Sequence, residues 1–195
     1  MKSEIVEAAT LWALLEKRVE RSPDRLMYVD AEGTRLTFLE FRTKCERVAS
    51  GLMSLGVTRE TPFSWQLPTH IDTVILSMAL SRLGAVQNPI IALYREREVG
   101  SILEQTGAAW FALRAEWRGF SYAKMAEAIL ARASKPFRIL DIDEGLPEGD
   151  PAMLPPAPTS TQDPEGVRWL YSTSGTTSAP KVVRHTDGTL IAGGL

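Results

Sequence analysis

Cysteine, long apolar runs and clusters of basic residues are all scarce in this chain of 195 residues. Cys45 is the single cysteine, so no disulfide can form within the chain, and the chain starts without a signal-peptide pattern. The most apolar stretch runs from Val74 to Leu80, far short of the roughly 20 residues that cross a bilayer. We therefore expect a cytoplasmic protein with no transmembrane segment, and we interpret this stretch as a buried helix.

The charges are balanced, because 22 Lys and Arg residues oppose 24 Asp and Glu residues and leave a formal net charge of -2. The basic residues are scattered singly, so the sequence offers no phosphate-neutralising surface of the kind that nucleic-acid binding requires. A hydrophobic fraction of 44% is ordinary for a globular protein and is sufficient for a buried core. We expect a globular fold and no polynucleotide partner.

The first 57 residues predict a helix, a hairpin and a second helix. Thr10 is a candidate N-cap for the first helix, and the hairpin is expected to turn at Glu32-Gly33, where glycine can adopt a positive φ. Thr37 and Glu40 have the spacing of a capping box at the start of the second helix. Cys45 lies on the apolar stripe of that helix, so we interpret it as a small buried hydrophobe without a chemical role. The stripe consists of Phe38, Phe41, Cys45, Val48, Leu52 and Leu55, and Gly56 ends the helix.

From residue 58 onward, strand and helix patterns alternate, which is typical of an α/β fold with a mostly parallel sheet flanked by helices. His70 precedes one of these helices, where a capping or solvated role is favoured over catalysis. Between Asp141 and Pro164, six acidic residues and six prolines without periodicity predict a surface connection rather than a packed element. Strands are expected at 63–67, 85–87, 109–113, 137–140 and 167–172, and helices at 71–83, 96–105 and 122–131.

The segment from Tyr171 to Lys181 has the most unusual composition, with six Ser or Thr hydroxyls among its residues. Small residues around one glycine let backbone amides turn inward around an oxyanion, while hydroxyls add donors and Lys181 adds positive charge. The chemistry suits a polyphosphate, although the composition fits a plain loop or linker equally well. The segment is not a Walker A loop, because Pro180 stands where that loop has its second glycine, and this argues against a P-loop kinase or ATPase.

In the order of its residues, the segment resembles the phosphate-binding signature of the adenylate-forming ligase superfamily, which includes acyl-CoA synthetases, luciferases and nonribosomal peptide adenylation domains. The match departs at Ser178 and Val182, where the family often has glycine. Upstream segments such as Asn88-Pro89 agree with the family layout, so the resemblance covers the whole chain. The runs at 87–90, 94–100 and 184–187 further resemble a branch that activates medium-chain or alicyclic acids. The matching residues are Ser174-Gly175-Thr176-Thr177, Pro180-Lys181 and His185-Thr186.

The resemblance implies the N-terminal portion of a large domain, in which residues 1–57 face a second lobe and residues 58–195 form an α/β lobe that ends in the phosphate-binding loop. It implies an AMP-forming acyl-CoA synthetase with ATP, Mg²⁺ and coenzyme A as cofactors or cosubstrates and a small carboxylic acid as substrate. It implies no catalytic residue and no metal ligand within this chain. His185 lies near the adenylate site or is structural, and both interpretations stay open. The implied phosphate-binding residues are Thr173, Ser174, Gly175, Thr176, Thr177 and Lys181.

The remaining motifs of the family would follow Leu195, so we expect that this polypeptide alone does not form an acyl-adenylate. We also expect the apolar stripes of the first two helices, which face a second lobe in the family, to be exposed here and to promote self-association. Two other hypotheses stay open. One is a non-catalytic module that binds a protein partner, and the other is an adenylation domain that serves a carrier protein.

Overall fold

The computed structural model describes residues 8–31, 33–158, 166–173 and 180–194. Within these ranges the helices are α1 (Leu11–Arg21), α2 (Phe38–Ser54), α3 (Ile71–Leu83), α4 (Glu96–Thr106), α5 (Tyr122–Leu130) and α6 (Asp187–Gly193). The strands are β1 (Leu26–Val29), β2 (Arg35–Thr37), β3 (Pro62–Gln66), β4 (Val86–Pro89), β5 (Trp110–Leu113), β6 (Glu116–Trp117), β7 (Phe120–Ser121), β8 (Arg138–Asp141), β9 (Trp169–Thr173) and β10 (Lys181–His185).

A six-stranded sheet forms the centre of the molecule, with the strand order β10-β9-β4-β3-β5-β8. Adjacent strands from β9 to β8 run parallel, and only the outer pair, β9 with β10, is antiparallel. The helices α3, α4 and α5 connect successive parallel strands, as such strands require long crossover connections. The predicted α/β class with a mostly parallel sheet is confirmed.

Two separate hydrophobic clusters cover the sheet. The first joins α1, α2 and α3 to β3, and the second joins α4 and α5 to β5. Helix α3 is buried on most of its surface, from Ile71 and Ile75 to Ala79 and Leu80, which confirms the interpretation of the most apolar stretch as a buried helix. No helix in the described ranges is long and apolar enough to span a membrane.

The two helix starts predicted near the N-terminus follow from their capping residues. The Thr10 hydroxyl accepts a hydrogen bond from the Ala13 N–H at 3.0 Å. At α2, the Glu40 N–H donates to the Thr37 hydroxyl at 3.2 Å, and the Thr37 N–H donates to the Glu40 carboxylate at 2.8 Å. Both caps satisfy backbone donors that lack a partner inside the helix. Gly33 has the positive φ expected of the hairpin turn, whereas Glu32 lies outside the described residues.

Cys45 is fully buried in the first cluster, which confirms its interpretation as a core residue. Burial raises the pKa of its thiol far above the ordinary value, because the thiolate would lose its hydration. We predict that Cys45 resists alkylation by iodoacetamide at pH 8 in the folded protein and reacts at the rate of a free thiol in 8 M urea, as followed by mass spectrometry. Rapid alkylation of the folded protein would contradict the burial of Cys45.

The expectation that the apolar stripes of the first two helices are exposed is wrong. Leu15 of α1 and Phe41 and Val48 of α2 are buried within the chain's own first cluster, and Leu55 at the end of the α2 stripe is exposed. The reason is that α1 and α2 pack on each other and on α3, so their apolar faces are covered without any further lobe. Self-association stays a prediction that needs another surface.

The expectation that residues 141–164 form a surface connection agrees with the described residues 144–158, none of which is buried, but the expectation that this connection is not packed is wrong. Residues 144–158, which we call the strap, pack along α2. The Gly149 N–H donates to the Arg47 carbonyl at 2.9 Å, and the Ser50 hydroxyl donates to the Asp150 carbonyl at 2.7 Å. The strap approaches so closely because Gly51 of α2 has no side chain to hold it off. It then continues toward β9.

Candidate functional site

A crevice lies at the carboxyl ends of β3 and β4. We call this end of the sheet, where the parallel strands terminate, the carboxyl edge. After β3 the chain passes into α3, within the first cluster, whereas after β4 it passes into α4, within the second. Two adjacent parallel strands whose connections leave toward opposite faces open a gap between those connections, and ligands of α/β proteins bind there. Strand β9 lies next to β4 and runs parallel to it, so its carboxyl end reaches the same edge.

Strands β9 and β10 form a hairpin that contains the phosphate segment, our name for residues 171–181. The two ends of this segment, which the structure describes, lie together at this edge. Thr173, the last residue of β9, pairs with Lys181, the first residue of β10, and the Thr173 hydroxyl donates to the Lys181 carbonyl at 3.3 Å. Both residues are exposed. The four other predicted phosphate-binding residues, Ser174, Gly175, Thr176 and Thr177, lie outside the described residues.

Lys181 differs from Arg114, another cation that follows a parallel strand, in the charges around it. Arg114, which follows β5, contacts the carboxylates of Asp72 at 3.3 Å and Asp143 at 3.4 Å. In the described part of the chain, Lys181 has no carboxylate within ion-pair distance. An ammonium group without a carboxylate partner is available to an anion, whereas Arg114 is already neutralised. Asp72 also contacts His70, which is the N-cap of α3, as the sequence predicts.

Ser172 and Tyr171 are half-buried residues of β9 that precede Thr173. The Ser172 hydroxyl is buried and has no hydrogen-bond partner in the ranges that the structure describes. A buried hydroxyl without a partner costs free energy. The Tyr171 ring stacks on Trp169 with 6.0 Å between ring centroids, and burial raises the pKa of its phenol.

His185 does not join Thr173 and Lys181. It pairs with Trp169 at the opposite end of the hairpin, four residues and about 13 Å along β10 from Lys181. Its ring contacts the edge of Tyr171, and its Nδ1 lies 3.4 Å from the Thr189 hydroxyl. These contacts favour the structural interpretation of His185.

A largely apolar cavity of about 460 Å³ lies beneath the crevice, between α3 and the ends of β4 and β9. Its aromatic walls come from Trp65, Trp169 and Tyr171, and the indole N–H of Trp65 is buried without a partner in the described ranges. The cavity suits an apolar group, while the exposed Thr173 and Lys181 suit an anion. The remaining lining residues are Leu11, Leu67, Thr69, Thr73, Val74, Ser77, Met78 and Pro89.

Asp187 ties the hairpin to the N-terminal helix, a role that sequence reasoning missed. Its carboxylate is only 7% exposed and accepts two hydrogen bonds, from the indole N–H of Trp169 at 2.8 Å and from the backbone N–H of Leu11 at 3.1 Å. The partner residues are 18 and 176 positions away in sequence, so no local pattern announces them. The signal available in the sequence was an acidic residue just after the Thr186 cap of a short helix.

We predict that Asp187→Asn lowers the free energy of unfolding by about 1–2 kcal/mol, because an amide has a single acceptor oxygen and leaves one buried donor without a partner. Urea unfolding of the variant measures this change. Asp24→Asn is the matched control, since Asp24 is exposed, and it is expected to change stability by less than about 0.5 kcal/mol. Equal losses of stability in the two variants would contradict the role of Asp187 in joining the hairpin to α1.

The described residues do not form a protein cage for a metal ion. No three His, Cys, Asp or Glu side chains within the described ranges converge as metal ligands. Mg²⁺ in nucleotide sites is often held by one or two carboxylates and by the phosphates of the substrate, so a complete protein cage is unnecessary. Thr173 and Lys181 offer an exposed hydroxyl and a positive charge, a combination that suits an anion.

Comparisons with known proteins identify the family of the chain. The AMP-binding enzyme family model matches residues 15–195. Triostin synthetase I of Streptomyces triostinicus is 30% identical over 180 residues, which cover 87% of this chain and 32% of that protein. Salicyl-AMP ligase / salicyl-S-ArCP synthetase of Mycobacterium tuberculosis is 29% identical over 91% of this chain and 33% of that protein.

Among solved structures, the fatty acyl CoA synthetase of Mycobacterium tuberculosis has the same fold, with a TM-score of 0.74 and 22% identity over 92% of this chain and 35% of that one. The chain therefore spans about a third of the length of the relatives that it matches. Because the family model covers nearly the whole chain, from residue 15 to its last residue, the chain belongs to the AMP-binding enzyme family.

Proposed function

We infer that this chain supplies the triphosphate-binding part of an ATP-dependent, AMP-forming ligase that activates a carboxylic acid as an acyl-adenylate. One observation carries the inference: Thr173 and Lys181 flank the phosphate segment as a cross-strand pair at the carboxyl edge of the sheet. The phosphate-binding residues are then Thr173, Ser174, Gly175, Thr176, Thr177 and Lys181, as the family resemblance implies.

The chemistry explains why such residues are needed. The carboxylate attacks the α-phosphorus of ATP, a bond forms between the carboxylate oxygen and phosphorus, and pyrophosphate leaves with the electron pair of the broken P–O bond. Negative charge accumulates on the leaving pyrophosphate, so a fixed cation and oriented donors around the β- and γ-phosphates lower the barrier. Lys181 provides the cation, and the hydroxyls and amides of the segment provide the donors. Mg²⁺, when bound with the nucleotide, would supply further positive charge to the phosphates.

Coenzyme A is the acyl acceptor that we favour. The runs at 87–90, 94–100 and 184–187 resemble a branch that makes CoA thioesters, and the fold matches a fatty acyl CoA synthetase. In that second reaction the thiol sulfur attacks the acyl carbonyl, and AMP leaves. A carrier-protein acceptor is the second candidate, because one relative is a salicyl-S-ArCP synthetase.

The test is an acceptor assay on the natural, full-length protein that contains this chain. We expect carboxylate-dependent exchange of labelled pyrophosphate into ATP, and thioester formation when coenzyme A is added. Thioester formation on a phosphopantetheinyl carrier with no reaction on coenzyme A would favour the second candidate. No exchange with any panel of aliphatic, alicyclic and aryl acids would contradict the proposed function.

A further inference from the structure

Pro89 occupies an unusual position at the end of β4, a strand that has neighbours on both sides. Proline has no N–H to donate to a sheet ladder and is rare in central strands. The Val86 N–H donates to the carbonyl of Thr61, just before β3, at 2.9 Å, and the Ile90 N–H donates to the carbonyl of Trp65 in β3 at 2.8 Å. Because N–H groups alternate between the two sides of a strand, those of positions 87 and 89 belong to the β9 side.

The proline leaves one carbonyl of β9 without its ladder donor. The Gln87 N–H donates to the Arg168 carbonyl at 2.7 Å. In a regular parallel ladder, the next N–H on that side, at position 89, donates to the carbonyl two residues further along the partner, which is that of Leu170. Position 89 has no N–H. The side chain of Asn88 replaces it, since Nδ2 donates to the Leu170 carbonyl at 2.5 Å.

A third strand, β3, orients the side chain of Asn88. Its side chain is 1% exposed, and its Oδ1 accepts a hydrogen bond from the Ser64 hydroxyl of β3 at 3.1 Å. One side chain therefore joins β3, β4 and β9. This side chain makes a considerable part of the contact between β4 and β9, because in the described part of the sheet these strands pair only at Gln87 and Trp169.

We propose that Asn88 is a positioning residue for the phosphate segment, acting as the hydrogen-bond donor that Pro89 cannot be. The proline ends the pairing of β4 with β9, so that the strands separate and the apolar cavity, which Pro89 and Tyr171 both line, opens between them. Asn88 keeps β9 attached at the last point before that separation. Thr173 follows Leu170 by three residues, so the attachment sets where the segment begins. The phosphate part of this inference rests on the proposed function.

The test replaces the donor and then restores it from the backbone. Asn88→Ala removes the side-chain amide, and the double substitution Asn88→Ala with Pro89→Ala supplies a backbone N–H at position 89. We expect the amides of β9 and β10 to exchange hydrogen about tenfold faster in the single variant and to return to within threefold of the natural protein in the double variant. Ser64→Ala is the matched control, because it truncates the same network and leaves the donor to Leu170 intact.

A structural role in the core alone would predict no rescue by Pro89→Ala, so a double variant that exchanges as fast as Asn88→Ala overturns the proposal. If the β9 and β10 amides of Asn88→Ala exchange hydrogen at the rate of the natural protein, the proposal is overturned as well. In the same proteins, the Kd for Mg·ATP is expected to rise about tenfold in the single variant and to recover in the double variant. If the natural protein does not bind Mg·ATP, the proposed function is contradicted, and the exchange data decide the role of Asn88 independently.

Discussion

Gly51→Ala is expected to destabilise the protein by about 3 kcal/mol, although alanine is normally the better helix former. A Cβ at position 51 would lie 2.3 Å from the Pro147 carbonyl oxygen and 2.7 Å from the Glu148 nitrogen. Both are backbone atoms of the strap, so no side-chain rotation can relieve the overlap. The strap must move away from α2 and lose the hydrogen bonds that Ser50 and Arg47 make with it. Urea unfolding measures the loss.

Gly100→Ala is the matched control because Gly100 also lies inside a helix. Its Cβ would meet Cγ2 and Cγ1 of Ile129 at 3.7 and 3.8 Å, which is ordinary packing distance. We expect this variant to gain up to about 1 kcal/mol from helix propensity. The two substitutions are therefore expected to have opposite signs. Equal stability of the two variants would contradict the close approach of the strap to α2.

Lys181→Met is expected to raise the Kd for Mg·ATP by about 10- to 100-fold, because a hydrogen-bonded ion pair to phosphate contributes roughly 1.5–3 kcal/mol. Stability should change little, since Lys181 is exposed at the start of the outermost strand. Isothermal titration calorimetry on the natural protein measures the affinity, and urea unfolding checks the fold.

Arg184→Met provides the control for net charge. Arg184 is exposed on the same strand, three residues further from the carboxyl edge, where it pairs with Leu170. We expect its removal to change the Kd by less than about threefold, since the phosphates would lie at the other end of β10. If both variants lose affinity equally, the effect is general electrostatics, and Lys181 has no special role.

Local signals in the sequence predict much of this fold. The capping box at Thr37 and Glu40, the apolar stripe through Cys45 and the apolar helix α3 each depend on neighbours within a few turns, and the structure confirms them. The alternation of strands and helices predicts the parallel sheet for the same reason. Element bounds differ by at most two residues, as at β4, which continues through Asn88 to Pro89.

Features that depend on distant partners were not predictable. The strap reads as a linker because its acidic and proline-rich composition contains no sign that Gly51, almost 100 residues earlier, leaves room for it. The role of Asp187 depends on Trp169 and Leu11 in the same way. Strand β10 lacks the alternation of a half-buried strand because it lies at the edge of the sheet, and β6 and β7 are two residues long.

The candidate site combines both kinds of information. Residue order in the segment from Thr173 to Lys181 predicts what the site binds, since hydroxyls, a glycine and a lysine suit phosphate oxygens. Its location needs the sheet topology, which brings the carboxyl end of β9 beside β4 and next to the crevice. The apolar cavity beneath it comes from side chains of α1, α3, β3, β4 and β9, and no single stretch of sequence announces it.

Hydrogen exchange of the backbone amides from Ser172 to Lys181, measured with and without Mg·ATP, tests the central claim most directly. We predict that saturating Mg·ATP slows exchange of these amides at least tenfold, because they donate to the phosphates, while amides of the distant β1–β2 hairpin are unchanged. Identical exchange of the segment in both conditions, under nucleotide concentrations that saturate a related ligase, would contradict its assignment as the triphosphate site and favour a non-catalytic binding module.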